Sequence, residues 1–284
     1  MMELYYLSGT GGEKLDLMSS QYRANIQDLL QYEWDYETSD NVGRNGGRIT
    51  EMKRSVATKS MTISVMGSSR EAYTEALNRY LRITERDIRN LTPGRLYLGE
   101  NYLTCYLAAS QYDTAFDPGV TFARKAVTLV SEYPFWRIEE TTRYLPDDRE
   151  TESAEYLDYP YDYAYDYLYD LSGARQLIND HYASSDFVMT VYGPAVNPTV
   201  YIAGHKYMVA TVLYDGDYMV IDSAAKTVIR IAADGTSENL FNCREKDSEI
   251  FEKIPPGNNT VIFNQEFGFD LTLYRERSEP EWSI

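Results

Sequence analysis

From residue 159 to residue 169 every second residue is tyrosine. With Tyr156 included, seven of the chain's 27 tyrosines fall between 156 and 169. A period of two belongs to an extended backbone and excludes a helix over this stretch. It sets the rings of Tyr159, Tyr161, Tyr163, Tyr165 and Tyr167 on one face. Pro160, Asp162, Ala164, Asp166 and Leu168 take the other. One face is aromatic with hydroxyl tips, and the other is short and partly anionic. Tyrosine combines a large contact area with a polar tip and few rotors, which suits protein interfaces. The five tyrosines are therefore candidate protein-interface residues, on an extended strand at the edge or entrance of a second domain. Stacking on sugar rings is the competing use of the same face.

The same alternation recurs along most of the chain. Met61, Ile63 and Val65 share one side of a strand over 59–66, and Phe267, Phe269, Leu271 and Leu273 share one side of the last strand. Further strands are expected at 29–36, 95–98, 102–109, 120–130 and 135–138. After residue 186 they are expected at 187–192, 199–202, 206–213, 218–221, 227–232 and 261–263, with turn residues between them. One stretch changes period. Tyr73, Ala76, Leu77, Tyr80, Leu81 and Ile88 recur at helical spacing, Ser68 and Glu71 have the spacing of a capping box, and Thr92-Pro-Gly marks the end. This predicts one long helix over about 69–90, its apolar stripe against a sheet. A second, short helix is expected within 171–181, a mobile acidic loop over 147–155, and a turn cluster at 254–259. The fold class is mainly β: an N-terminal β-sandwich with one helix over 1–134, then a C-terminal β-sandwich over 135–284.

Charge narrows the function. Lys+Arg total 27 against 44 Asp+Glu, a net charge of −17, which disfavours nucleic acid and anionic membranes as partners. Residues 137–170 carry eleven acids and three bases, nearly half of the net charge. Residues 44–59 run the other way, with Arg44, Arg48, Lys53, Arg54 and Lys59 against Glu51. That Gly-rich basic stretch reads as an extended arm meeting an acidic neighbouring subunit, so Arg44, Arg48, Lys53 and Arg54 are further interface candidates. No apolar run reaches the length of a membrane span, and the N-terminus has no signal-peptide pattern. Two cysteines do not make a disulfide framework: Cys105 is expected in the core and Cys243 half exposed.

Catalytic patterns are sparse. The two histidines, His181 and His205, have no ligand or nucleophile at motif spacing; His181 is expected on a surface and His205 in a hairpin turn. The stretch 8–14 has glycines and a lysine, but Glu13 and Leu15 break the phosphate-loop pattern. Nothing selects two carboxylates for glycoside hydrolysis. The reading is a non-enzyme without cofactor or metal, with a carbohydrate-binding β-sandwich that aids adsorption to cell-wall glycans as the alternative.

The order of these features resembles the distal tail proteins of long-tailed (siphovirus) bacteriophages. The resemblance rests on three regions. The first holds the Gly-rich basic loop 41–48, the strand 61–65, one helix, and Tyr133-Pro-Phe-Trp at the handover. The second holds Tyr-Pro-Tyr-Asp-Tyr at 159–163 and Tyr-Gly-Pro-Ala-Val-Asn-Pro at 192–198. The third holds Ile-Pro-Pro-Gly-Asn-Asn at 254–259 and a basic-aromatic end at 275–282. The resemblance implies a structural role. The N-terminal domain would form a homohexameric hub ring that continues the tail tube, through which DNA passes without specific binding and without membrane insertion. The second domain would be a galectin-like sandwich supporting adhesion proteins. The implied partners are the tail tube protein, a tail-tip lysin or fibre protein, and receptor-binding proteins. The implied location is the virion tail tip, after synthesis in the host cytoplasm. Of the galectin sugar constellation, Trp136 and Glu139 are present, but Thr141 stands where arginine would follow, and neither histidine starts the first element.

Overall fold

The computed structural model describes residues 3–40, 43, 45–112, 121–146 and 175–281. The tyrosine run, the acidic stretch 147–155 and Arg44 lie outside the described residues. The backbone divides into two compact units, Met1–Ile138 with Glu276–Ile284, and Glu139–Arg275. The last segment thus belongs with the first unit, whereas the sequence assigns all of 135–284 to the second domain. A turn signal marks where a chain bends, not where it returns.

In the first unit the strands are β1 (Leu4–Leu7), β2 (Lys14–Asp16), β3 (Tyr22–Asn25), β4 (Asp35–Asp40), β5 (Gly47–Lys53) and β6 (Ala57–Met66). After the helix α1 (Arg70–Arg89) follow β7 (Gly94–Leu98), β8 (Asn101–Tyr112), β9 (Phe122–Ser131) and the start of β10 (Trp136–Tyr144). One antiparallel layer runs β2-β1-β7-β8-β10 and another runs β3-β6-β9-β8. β8 serves both: Asn101 to Cys105 pair with β7, and Tyr106 to Tyr112 pair with β9, with a register shift between Leu107 and Ala109. The inward residues of both layers meet in one core, including Tyr6, Leu96 and Leu103 from the first and Ile63, Val65 and Leu129 from the second. Each such side chain contributes about 1.5–3 kcal/mol on full burial.

The helix begins one residue later than the capping-box spacing suggests. The hydroxyl of Ser69, not Ser68, accepts the Ala72 N–H at 3.2 Å. Glu71 in the first turn and Arg86 and Arg89 in the last complement the helix dipole. The buried stripe is Tyr73, Ala76, Tyr80, Ile83, Thr84 and Asp87, and it packs on β6 and β8. Ile88 lies outside it and is exposed. Asp87 stands where an apolar residue belongs by period, and it is fully buried. Its carboxylate accepts from the Tyr6 hydroxyl at 2.8 Å, the Ser8 hydroxyl at 2.6 Å and the Thr10 N–H at 3.0 Å. These bonds tie the β1–β2 turn to the helix. Gly94 leaves room for the Tyr6 ring, with which a Cβ there would collide.

The second unit continues β10 and adds β11 (Arg175–Asn179), β12 (Phe187–Tyr192), β13 (Ala195–Val196), β14 (Thr199–Ile202), β15 (His205–Met208) and β16 (Val212–Leu213). Then come β17 (Tyr218–Asp222), β18 (Thr227–Ile231), β19 (Ser237–Asn239), β20 (Gly257–Phe263) and β21 (Phe269–Arg277). One layer is ordered β19-β18-β17-β12-β21-β10 and the other β11-β20-β14-β15. Phe187, Met189, Phe269 and Leu271 of the first layer share a core with Leu177, Val200, Val261 and Phe263 of the second. The fold class is therefore the mainly β one expected, with sandwich packing in both units.

Several local expectations change. Residues 27–30 form a 3-10 turn, and the strand begins only at Asp35, because Leu29 is drawn into the core as a plug. The expected short helix within 171–181 is instead β11, paired with β20. Partnering by β20 decides this, since five residues are too few to favour a helix on their own. The strand expected at 206–213 is interrupted between Met208 and Val212. Strand structure begins at Gly257, inside the expected turn cluster. His181 is buried, 6% exposed, rather than on the surface. Cys105 is buried and Cys243 half-buried, and both are free thiols.

Candidate interface site

The exposed ribbon of β4 and β5 pairs with no other strand among the described residues. Asp35 faces Lys53, Tyr36 faces Met52 and Asp40 faces Gly47, with a register shift between Glu37 and Thr38. Every residue of both strands is exposed. A lone two-stranded ribbon is marginal in water, and this one still presents Tyr36, Ile49 and Met52, each more than half exposed. Tyr36 and Met52 form a cross-strand pair on one face. Among the sequence candidates, Arg48 is exposed on β5. Lys53 bonds Glu37 at 2.9 Å and lies 3.5 Å from Glu51; exposed pairs like these are worth about 0–1 kcal/mol. Lys53 therefore fastens the ribbon rather than standing free. Arg44 and the five tyrosines are outside the described residues.

Arg54 has a different setting. It follows β5 at the root of the ribbon, half-buried, with its guanidinium carbon 4.8 Å from the Phe135 ring centre, 5.7 Å from Tyr32 and 6.0 Å from Trp34. The Trp34 and Phe135 rings meet edge-on at 5.8 Å. Beside it Lys59, 7% exposed, donates to the carbonyls of Leu29 at 2.7 Å and Gln31 at 2.5 Å. Burial, with Arg54 as a cationic neighbour, pushes the Lys59 amine down to about 8. Burial also lowers Arg54. Both side chains line a cleft of about 380 Å³ with Gln31, Tyr32, Glu33 and Asp35. Asp35 accepts the Ser55 N–H at 3.2 Å. The sequence reading misses Lys59, Tyr32 and Trp34 as site residues. A signal for Lys59 exists: it shares parity with Met61, Ile63 and Val65, a lysine on an inward face.

A second polar group lies on the second unit. Asp270 accepts from Arg143 Nε at 3.0 Å and from the Tyr192 hydroxyl at 3.0 Å. These three residues border a cleft of about 370 Å³, and exposed Tyr218 is the cross-strand neighbour of Tyr192. The unit also brings Ser248 within 3.2 Å of His205 Nε2. That nitrogen donates to the Glu249 carbonyl at 2.8 Å, and the Ser248 hydroxyl donates to the Lys206 carbonyl at 2.6 Å. With both protons so directed, His205 Nε2 is not a base for Ser248. No group of three or more His, Cys, Asp or Glu among the described residues could hold a metal. No helix among them is long and apolar enough to cross a membrane.

No family model matches the chain, and no curated protein matches it. Solved structures do. The SPP1 phage Dit protein, described as a paradigm of the hub adsorption apparatus in phages infecting Gram-positive bacteria, aligns with a TM-score of 0.58 at 10% identity. It covers 96% of this chain and 99% of its own. Chains of the phage P2 baseplate in its activated conformation align with TM-scores of 0.62 in the calcium form and 0.64 in the strontium form. Each is 14% identical and covers 99% of this chain and 100% of its own. The chain has the fold of these phage proteins. At such identities the likeness lies in the fold: β-sandwich layers are kept while the side chains on them differ.

Proposed function

We propose that the chain is a structural protein of a bacteriophage tail tip, a hub on which other tail proteins assemble. The observation that carries this reading is the length of the likeness. Both units are matched, nearly end to end, by phage proteins described as a hub adsorption protein and as part of a baseplate. In this reading six copies form a ring through the first unit, continuing the tail tube and leaving a passage for DNA. The β4–β5 ribbon, with Arg48 and Lys53 on it and Arg54 at its root, reaches the next subunit, and Arg44 belongs to the same arm. The second unit is a galectin-like sandwich at the periphery that carries a tail-tip lysin or fibre protein and receptor-binding proteins. Tyr159, Tyr161, Tyr163, Tyr165 and Tyr167 belong to those protein contacts. The protein is made in the host cytoplasm, resides in the virion tail and catalyses nothing. Native mass spectrometry and electron microscopy of the purified chain test this. Sixfold rings are expected, whereas a strict monomer at high concentration, with no ring in assembled particles, overturns it.

The Arg143, Tyr192 and Asp270 group supports a second reading, a glycan-binding module. A carboxylate and a guanidinium beside exposed tyrosines offer acceptors, donors and a stacking face to a sugar ring. Glycan-array binding that Tyr192→Ala abolishes favours that reading.

A further inference from the structure

Two cations share one cleft at the root of the ribbon; Lys59 feels the Glu279 carboxylate of its own chain, whereas no carboxylate among the described residues pairs with Arg54. The Nε and Nη1 atoms of Arg54 are buried and make no hydrogen bond among the described residues. Aromatic faces surround the guanidinium and supply attraction, but no acceptors. Lys59 spends two donors on backbone carbonyls and adds a like charge. Glu33 and Asp35 line the same cleft without forming an ion pair with either cation. Arginine is rarely buried unless paired, and buried donors without acceptors are rare in folded proteins. A chain with 44 acids and 27 bases has ample carboxylate with which to close such a pair, yet leaves this one open.

We infer that the Arg54–Lys59 cleft is a socket for an acidic side chain of a second copy of this chain, whose carboxylate completes the guanidinium between Tyr32, Trp34 and Phe135. This rests on the hub reading and adds to it the bond that holds neighbours together. A second copy is the occupant on two grounds. The cleft opens at the root of the β4–β5 ribbon, which is exposed along its whole length and pairs with no other strand among the described residues. The chain is also strongly acidic, most of all over 137–170, so each copy carries the complementary charge. The planar fork of arginine suits a carboxylate gripped by two parallel N–H bonds, which lysine does not reproduce.

The test compares full-length wild type with Arg54→Met and Arg54→Lys, by native mass spectrometry across a dilution series and by thermal unfolding of the dilute monomer. A socket for a neighbour predicts opposite signs. Arg54→Met removes an unpaired half-buried cation, so the monomer melts at the same or a higher temperature, while the dissociation constant between subunits rises about thirtyfold or more. Arg54→Lys falls between the two. Wild-type rings whose dissociation constant Arg54→Met leaves unchanged overturn the socket and leave the hub standing. A monomer that melts lower in Arg54→Met, by as much as assembly weakens, also overturns it, because Arg54 then serves its own subunit. A wild type that never assembles overturns both.

Discussion

Asp87 shows how one side chain can join two elements far apart in sequence. Its carboxylate gathers hydroxyl and backbone donors from the β1–β2 turn while sitting in the buried stripe of α1. Asp87→Ala would leave those donors without an acceptor in the core. We expect a loss of about 3 kcal/mol or more in denaturant unfolding. Lys59 makes a pH prediction. Its folded value, about 8, lies below that of an unfolded lysine. Between about 8 and the ordinary lysine range the unfolded chain therefore holds the proton that the folded chain has shed. Stability at this position is lowest below pH 8 and rises with pH across that window. Unfolding free energies of dilute wild type and Lys59→Met at pH 7.5 and 9.5 check this. The gain on going to pH 9.5 should be larger in wild type by roughly 1–2 kcal/mol. Neither residue stands out by spacing alone. Asp87 falls at a helical core position and Lys59 at a strand core position, where charge looks like an interruption of the pattern until its partners are seen.

At the scale of elements, alternation and helical period carry most of the information. β6, β7, β12 and β14 and the helix α1 lie where Met61–Ile63–Val65 and the other periodic runs put them. Failures occur where a tertiary partner outweighs local preference, as with β11 beside β20 and Leu29 in the core. The basic, Gly-rich character of 41–48 marks an arm in the sequence, but not that β4 and β5 form a ribbon around it. Glu37 and Lys53 are 16 residues apart in sequence and meet only through that pairing. Every residue of both strands is exposed, so replacing 37–51 with a short Gly–Ser link should move the melting temperature of the dilute chain by no more than about 4 °C. The same change should abolish higher oligomers in native mass spectra. A large drop in melting temperature would instead make the ribbon part of its own domain's fold.

At the scale of the molecule, two units with separate cores follow from chain length and from the change of pattern after residue 134, but the return of the chain does not. Glu276 receives the Tyr133 hydroxyl at 2.5 Å and Arg137 Nε at 2.7 Å, and Glu281 and Asn101 exchange two hydrogen bonds. Long-range polar pairs of this kind have no local periodicity to announce them. Removing residues 276–284 would take the Glu276 carboxylate from Arg137, largely buried, and breaking a buried pair in this way costs about 3–5 kcal/mol. Hydrogen exchange read by mass spectrometry should quicken at 101–105 and 133–137 and stay unchanged at 187–191.

The return segment also sets a schedule. Residues after 275 leave the ribosome only when all of the second unit has been made, and domains fold as they emerge. The first unit thus acquires Glu276 and Glu281 only as the last strand of the second, β21, is completed. A nascent chain therefore lacks the closing contacts of the first unit until the second unit has been made, and the first unit's core must hold without them for that interval.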